Sequence, residues 1–375
     1  MTLFHKNAAF FLALLVFLLS FMQGLTMAIK KPLWNDEIYT QVTSVEGKSW
    51  LQIWEGYSQQ GNNSPLFCSV QKAVSLLSGY HSQDLWHRDD LRSRIIIRLA
   101  PVFFMSLGIA LCVGYFSFLY SILIGIFVLF LILTTYMIWA YWAEARPYSM
   151  VFCGTVFQLL ALWNAFRLKD SNRAWWPVMF AHLLLALTSA LTVIQIAASG
   201  PMLWLKGYRK PWYLLAMLGI PLAIAFGYYA VSDHLMFWFA QRGMPMALIK
   251  ASIPSGRLHA IFLFSIILWI WDMKSAVKTS KELWFFQGWV GLTLFGYVLF
   301  IAYLWFNQKP PVGFEISNRY FISLLPLGVI SMALLSLEIC RKPRFVWGRV
   351  LAWGVILLLT LPRLIKIFSW SRTVF

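Results

Sequence analysis

The sequence predicts an all-α integral membrane protein with about eleven transmembrane helices, within a range of roughly ten to twelve. Sixty per cent of the 375 residues are hydrophobic and only 12% are charged, whereas an ordinary globular chain is about 25% charged. Apolar stretches long enough to cross the ~30 Å hydrocarbon layer recur from end to end. Because alternating strand patterns of the barrel kind do not occur, helices are expected to satisfy the backbone in lipid.

The first apolar run, Ala8 to Met27, predicts an uncleaved transmembrane helix. It is longer than the ~7–15-residue apolar core of a signal peptide. Lys30, Lys31 and Pro32 follow it in place of a cleavage site. We therefore treat this run as the first helix of the protein.

One long polar segment, residues 30–94, follows this helix and predicts a first extracytoplasmic loop. Its amphipathic stretches at 50–59 and 67–77 predict short helices on the membrane surface. No linker or fixed-period repeat divides the chain, so residues 1–375 are predicted to form one domain. The segment 174–205 fits either two spans or a single tilted pass. The further predicted spans are 96–115, 119–138, 148–166, 174–189, 190–205, 212–231, 258–271, 284–305, 320–338 and 350–368.

The distribution of basic residues predicts the orientation. With a cytoplasmic N-terminus, the inner loops carry fourteen lysines and arginines against four acidic residues. That bias obeys the positive-inside rule, from which the long first loop is exempt. The net charge of +17 does not indicate nucleic acid, because the basic residues lie in short clusters between apolar spans.

Cysteine and histidine spacing predicts neither a disulfide framework nor a metal site. The four cysteines are scattered without paired spacing, which favours buried thiols. His81 and His87, with Asp84 and Asp89, match no metal template and favour a solvated loop. No cofactor is predicted with certainty, and a divalent metal requirement stays open.

Three polar clusters are predicted on the same outer face. They are residues 34–39 (Trp-Asn-Asp-Glu-Ile-Tyr), 143–148 (Ala-Glu-Ala-Arg-Pro-Tyr) and 317–320 (Ser-Asn-Arg-Tyr). Carboxylates and arginines at membrane depth are costly unless they are paired or used. A carboxylate at an apolar edge can act as a base, and the donor fork of arginine can hold a phosphate.

Each cluster also has a structural interpretation. Asp36 and Glu37 fit solvated loop charges or a helix cap. Glu144 and Arg146 fit an ion pair that fixes a turn. Arg319 fits an interfacial arginine that reaches lipid headgroups. Their convergence on one face favours a functional site.

The detailed pattern resembles a known family. Asp36-Glu37 soon after the first helix, residues 62–67 (Asn-Asn-Ser-Pro-Leu-Phe) and residues 141–148 (Tyr-Trp-Ala-Glu-Ala-Arg-Pro-Tyr) are similar to the bacterial relatives of protein O-mannosyltransferases. Those proteins belong to the GT-C class of polyprenyl-phosphate-dependent glycosyltransferases. The resemblance is clearest over residues 30–200, with 318–321 (Asn-Arg-Tyr-Phe) a further match. Where many members have His-Pro-Pro-Leu-Tyr, this chain has a second motif in which Asn63 is a polar substitute for the histidine.

This resemblance implies a GT-C-like fold and an inverting hexosyl or pentosyl transfer from a polyprenyl-phosphate sugar on the outer face of a bacterial inner membrane. Asp36 is implied as the base, with Glu37 orienting it or contacting the sugar. The implied donor-phosphate ligands are Arg146, Arg319 and Arg98. The implied substrate-binding residues are Tyr39, Asn63, Glu144, Tyr148 and Tyr320.

The resemblance also bears on partners. A lipid, glycan or protein acceptor is expected beside membrane lipids, and no nucleic acid. Since the chain is short for the class, the outer loops are expected to recognise the acceptor, with Ser232 to Arg257 the most plausible acceptor-facing loop after the first.

The main alternative is a transporter or lipid flippase, which also needs many spans and buried charges. Transporters tend to show paired repeats and helices broken near the midplane, whereas the charges here gather at one surface. A non-catalytic envelope scaffold is a second alternative. A lipid-linked saccharide ligase or polymerase is a third, although it would lack the Asp-Glu pair after the first helix.

Overall fold

The computed structural model describes helices almost throughout, as expected of an all-α membrane protein. The predicted spans at 258–271 and 350–368 lie outside the described residues, apart from Leu361 and Ile365. Two-residue strands, Phe239–Ala240 and Glu315–Ile316, pair in antiparallel fashion. The structure describes residues 3–55, 64–81, 85, 90–168, 174–231, 239–240, 281–307, 315–316, 318–341, 361 and 365.

The helices follow the predicted order along the chain. The α-helices are α1 (Leu3–Lys30), α2 (Asn35–Tyr39), α3 (Trp50–Trp54), α4 (Pro65–Leu77), α5 (Leu91–Leu119), α6 (Ile122–Leu133), α7 (Tyr136–Tyr141), α8 (Tyr148–Arg167), α9 (Trp175–Ala186), α10 (Thr192–Lys206), α11 (Pro211–Leu214), α12 (Ile220–Val231), α13 (Lys281–Asn307) and α14 (Leu324–Arg341). A π-helical turn at Thr40–Val45 extends α2, a second at Leu215–Gly219 joins α11 to α12, and a 3₁₀ turn at Asn318–Phe321 precedes α14.

Long apolar helices confirm the membrane-protein prediction. Within the described ranges, five segments are long and apolar enough to cross a membrane, and each coincides with a predicted span. Other apolar helices are shorter; α6 and α9 have 12 residues each, or about 18 Å at 1.5 Å per residue. The figure of eleven spans stays a prediction. The five segments are His5–Lys30, Leu91–Leu119, Tyr148–Arg167, Pro211–Tyr229 and Lys281–Tyr303.

Helices α9 and α10 form a hairpin, while the prediction that both arms cross the membrane stays a prediction. A Cβ atom built on Gly154 would lie 2.9 Å from Cδ2 of Leu185, near the end of α9. One residue further along α8, Thr155 Oγ1 accepts a 3.1 Å hydrogen bond from Gln195 Nε2, near the start of α10. Both arms therefore reach the same level of α8, and residues 187–191 form the tip of the hairpin.

Helix α1 packs closely along α5 through small side chains. A Cβ atom added to Gly114 of α5 would lie 2.6 Å from the Ala13 Cβ atom, and such small residues let membrane helices approach each other. On its other side α1 exposes large apolar side chains, among them Phe10, Phe11 and Leu19. This division suits a helix with one packed face and one face toward lipid.

The described part of the polar segment after α1, residues 31–55, 64–81, 85 and 90, lies at one end of the bundle, which we call the loop end. The predicted stretches are helical over Trp50–Trp54 (α3) and Pro65–Leu77 (α4), residues 56–59 lie outside the described residues, and the position of both helices at the membrane surface stays a prediction. Helix α4 begins at Pro65, where the missing N–H costs nothing, and it buries Phe67 and Cys68. The Leu66 N–H donates a 3.2 Å bond to the Leu187 carbonyl, so this helix contacts the tip of the α9–α10 hairpin.

Candidate functional site

The loop end is organised around a buried ion pair between Glu37 and Arg98. Both side chains are fully buried. The Glu37 carboxylate accepts bonds from Arg98 Nε (2.8 Å), from Arg98 Nη2, from the Ala145 N–H (2.7 Å) and from the Trp34 N–H (2.9 Å). Because a carboxylate offers about four acceptor positions, Glu37 is saturated. Its carboxylate therefore has no acceptor position left for a ligand.

Arg98 also fixes the end of α1. Its Nη1 donates to the Ala28 carbonyl over 3.0 Å and to the Lys31 carbonyl, and its Nη2 donates to the Pro32 carbonyl over 2.8 Å. Together with the two bonds to Glu37, these use all five guanidinium N–H groups. A phosphate would have to displace one of them. The family resemblance implies Arg98 as a donor-phosphate ligand, which stays a prediction; in the structure Arg98 links α1, α2 and α5.

Asp36 lies on the accessible side of the same turn. Its side chain is 36% exposed, and its Oδ2 accepts a 3.0 Å bond from Arg319 Nη1. The Arg319 guanidinium also lies over two aromatic rings, 5.4 Å from the centre of Trp34 and 5.6 Å from that of Tyr320. Arg319 therefore points to the predicted base and not out toward headgroups.

Arg146 enters the site from the turn before α8. Its Nη1 donates to Thr40 Oγ1 over 2.7 Å and to the Asp36 carbonyl over 3.5 Å. Thr40 Oγ1 in turn donates to the Asp36 carbonyl over 2.8 Å. These contacts fix the backbone of Asp36 while leaving its carboxylate to Arg319.

Glu144 is the third carboxylate of the site. It is 2% exposed, and its Oε1 has no hydrogen-bond partner among the described residues. Burial raises the pKa of Glu144 to about 7, and repulsion by Glu37 adds to this, whereas Lys31, Arg146 and Arg319 oppose it. Glu144 is therefore a group that changes charge near neutral pH.

Tyr148 begins α8 beside the two arginines. It is buried, and its hydroxyl lies within hydrogen-bonding reach of the Arg146 guanidinium. Its ring lies 5.2 Å from that of Tyr141. Arg146, Tyr148, Arg319 and Tyr320 border one small cavity together with the hairpin tip.

Two predicted site residues remain, Tyr39 and Asn63. Tyr39 lies in α2, where its carbonyl accepts a bond from Thr43 Oγ1, and no contact between its side chain and the arginines is seen among the described residues. Asn63 lies outside the described residues. His81 is an exposed partner of Glu46 at 3.7 Å. Within the described ranges, no group of three or more metal-ligating side chains occurs.

Sequence reasoning did not single out several residues that the structure places in the site. Thr40 directly follows the first polar cluster in sequence. Thr188 and Ser189 are a polar interruption between two apolar runs, and that interruption was the only signal they gave. Their nearness to the arginines depends on the hairpin.

Comparison with known proteins supplies no further identification. No family model, curated protein or solved structure shows significant similarity to this chain. The residues of the site therefore carry any statement about function.

Proposed function

We propose that this protein is a glycosyltransferase that moves a sugar from a polyprenyl-phosphate donor to an acceptor hydroxyl. The observation that carries the proposal is the partly exposed Asp36 carboxylate, 3.0 Å from the guanidinium of Arg319. A base beside a phosphate-binding cation is what transfer from a phosphate ester needs. The resemblance of the motifs around residues 36, 144 and 319 to the GT-C class supports the same chemistry.

The reaction is a single displacement with inversion. Asp36 takes the proton of the acceptor hydroxyl while that oxygen forms a bond to the anomeric carbon of the sugar. The bond between this carbon and the phosphate oxygen breaks, and the polyprenyl phosphate leaves with the electron pair. Arg319 and Arg146 stabilise the negative charge that develops on the leaving phosphate. No oxidant or further reactant is required.

In this proposal the buried pair has a supporting part. Glu37 and Arg98 hold α2 against α1 and α5, so that Asp36, one residue earlier, keeps a fixed direction. Preorganisation of this kind lowers the cost of reaching the reactive geometry. The loop end is assigned to the extracytoplasmic side on the positive-inside distribution of the basic residues.

The test uses purified protein and a panel of synthetic polyprenyl-phosphate sugars, with radiolabelled sugar as the readout. Wild type is expected to transfer the sugar or to hydrolyse its donor slowly. Asp36→Asn removes the base and is expected to lower the rate about 10²–10⁴-fold. Glu55→Gln, a carboxylate change on the exposed part of the loop end, is the matched control and should retain the wild-type rate.

Two outcomes would contradict the proposal. An Asp36→Asn protein as active as wild type would remove Asp36 from the mechanism. A donor that is translocated across liposomes without being consumed would favour the flippase alternative.

A further inference from the structure

An apolar groove runs along α1, α5 and α8 at the end of the bundle opposite the loop end. Its volume is about 450 Å³, within the about 300–1,000 Å³ of ordinary ligand clefts. Its lining on α1 extends from Lys6 to Phe17, or about 16 Å at ~1.5 Å per residue. That length matches one leaflet of a bilayer, since half of the ~30 Å hydrocarbon layer is ~15 Å.

The shape of the groove suits a narrow apolar chain. Ala9 is buried at its floor. The floor is narrow because α1 and α5 approach each other closely at Ala13 and Gly114, which also line it. Phe10 of α1 and Phe118 of α5 line the groove and are exposed, so it opens toward the lipid around the helices.

Two cations from different helices lie at the end of the groove. Lys6 is a lining residue. Arg167 ends α8, two helical turns beyond the lining residue Leu160 and on the same face. Tyr115, another lining residue, donates a 2.5 Å bond to Asn164 Oδ1. Its hydroxyl is also within hydrogen-bonding reach of the Arg167 guanidinium, which places Arg167 at the groove.

The helices that form the groove contain no acidic residue that could balance these cations. Helices α1, α5 and α8 have neither aspartate nor glutamate. Lys6 and Arg167 are exposed and form no ion pair among the described residues. Lys169 and Asp170 follow α8 outside the described ranges and carry opposite charges. The end of the groove therefore presents positive charge beside an apolar channel.

We propose that this groove binds an anionic phospholipid, with one acyl chain between α1 and α5 and the headgroup phosphate at Lys6 and Arg167. Basic pockets between membrane helices recognise anionic headgroups in this way. Under the predicted orientation the lipid belongs to the cytoplasmic leaflet, whose surface is negative. The groove lies at the opposite end of the bundle from Asp36, so the inference does not rest on the proposed sugar transfer.

The test is native mass spectrometry of the full-length protein in detergent, which counts bound lipids during a titration. The two lipids are phosphatidylglycerol and phosphatidylcholine with identical palmitoyl and oleoyl chains. Wild type is expected to bind a first phosphatidylglycerol more tightly than phosphatidylcholine. Lys6→Gln and Arg167→Gln should each weaken this first binding step about fivefold, and the double variant about thirtyfold.

Two further variants separate the parts of the site. Arg209→Gln is the matched control, because Arg209 is an exposed cation in the turn after α10, at the same end of the bundle. It should leave the affinity unchanged. Leu111→Trp fills the groove while keeping both cations, so it should also weaken phosphatidylglycerol binding. Thermal unfolding of each variant shows whether a loss of affinity reflects a loss of structure.

Several outcomes would contradict the lipid site. Phosphatidylcholine bound as tightly as phosphatidylglycerol, or an equal loss in Arg209→Gln and Arg167→Gln, would overturn recognition of the headgroup. A folded Leu111→Trp protein with wild-type affinity would overturn the place of the acyl chain. A dimer in the wild-type spectrum that Leu111→Trp dissociates would assign the groove to a second copy of the chain instead.

Discussion

At the scale of single residues, Asp36 and Glu37 show how neighbouring carboxylates acquire different roles. Successive residues of a helix point about 100° apart, so one side chain enters the protein while the next remains accessible. Glu37 is saturated by Arg98 and two backbone N–H groups, whereas Asp36 is 36% exposed and pairs with Arg319. The resemblance implies a catalytic role for both, and of the two only the Asp36 carboxylate is partly exposed.

Glu144 leads to a prediction about pH. Burial is the chief cause that raises the pKa of Glu144 from its ordinary value of 4.5 to about 7, so the folded state binds this proton more tightly than the unfolded state does. The free energy of unfolding should therefore fall as pH rises from about 4.5 to 7, on the order of 3 kcal/mol in total. Glu144→Gln has no charge to bury, so it should lose this dependence and gain stability relative to wild type at pH 8.

The measurement is the thermal unfolding midpoint of both proteins between pH 4.5 and 8. Glu55→Gln serves as the control, because an exposed carboxylate should leave the wild-type pH dependence in place. A pH dependence in Glu144→Gln equal to that of wild type would show that Glu144 does not titrate in this range.

At the scale of elements, close helix contacts depend on glycines. Gly125 of α6 packs on α5, where an added Cβ atom would lie 2.7 Å from the Val113 carbonyl oxygen and would also overlap Ser117 Oγ. A backbone carbonyl cannot rotate away, so Gly125→Ala should force α6 off α5. We expect a loss of about 1–3 kcal/mol of stability, seen as a lower unfolding midpoint in detergent.

Gly291 offers the matched control on α13. A Cβ atom there would meet nothing within 4 Å. Gly291→Ala should therefore be neutral, or stabilise by up to about 1 kcal/mol through helix propensity. If both substitutions lower the midpoint equally, the close α5–α6 contact is not the cause.

At the scale of the whole molecule, the Asp36–Arg319 pair joins parts of the chain that are 283 residues apart. It brings the first loop to the start of α14, and the hairpin tip lies at the same cavity. A site assembled from such distant segments needs all of them on one side of the membrane. The proposed orientation places that side outside the cytoplasm.

Single cysteines test this orientation. His81 is exposed at the loop end, and Arg209 is exposed in the turn after α10. A membrane-impermeant maleimide added to spheroplasts should label His81→Cys at once and Arg209→Cys only after permeabilisation. The native Cys68, Cys112 and Cys153 are buried, and the parent protein gives the labelling background. The reverse pattern would place the loop end in the cytoplasm.

Much of the architecture was predictable because apolar length is a local property of the sequence. The segments at 96–115, 148–166 and 284–305 were all found as long helices, and the amphipathic stretches became α3 and α4. The close pairing of Asp36 with Arg319 was not predictable in geometry, since no periodicity links residues so far apart. The three polar clusters were recognised in the sequence, but the hydrogen bonds between them were not.

The sequence by itself determined that this is a helical membrane protein and that its carboxylates and arginines occur in a few short clusters. Hydrophobic length and residue type suffice for that, because lipid excludes unpaired backbone. Only the tertiary structure decided that Arg98 pairs with Glu37 and that Arg319 donates a hydrogen bond to Asp36. It also decided that the α9–α10 tip lies beside Tyr148. The physical reason is that burial and hydrogen-bond saturation depend on neighbours distant in sequence, and these properties separate a fully bonded charge from an accessible one.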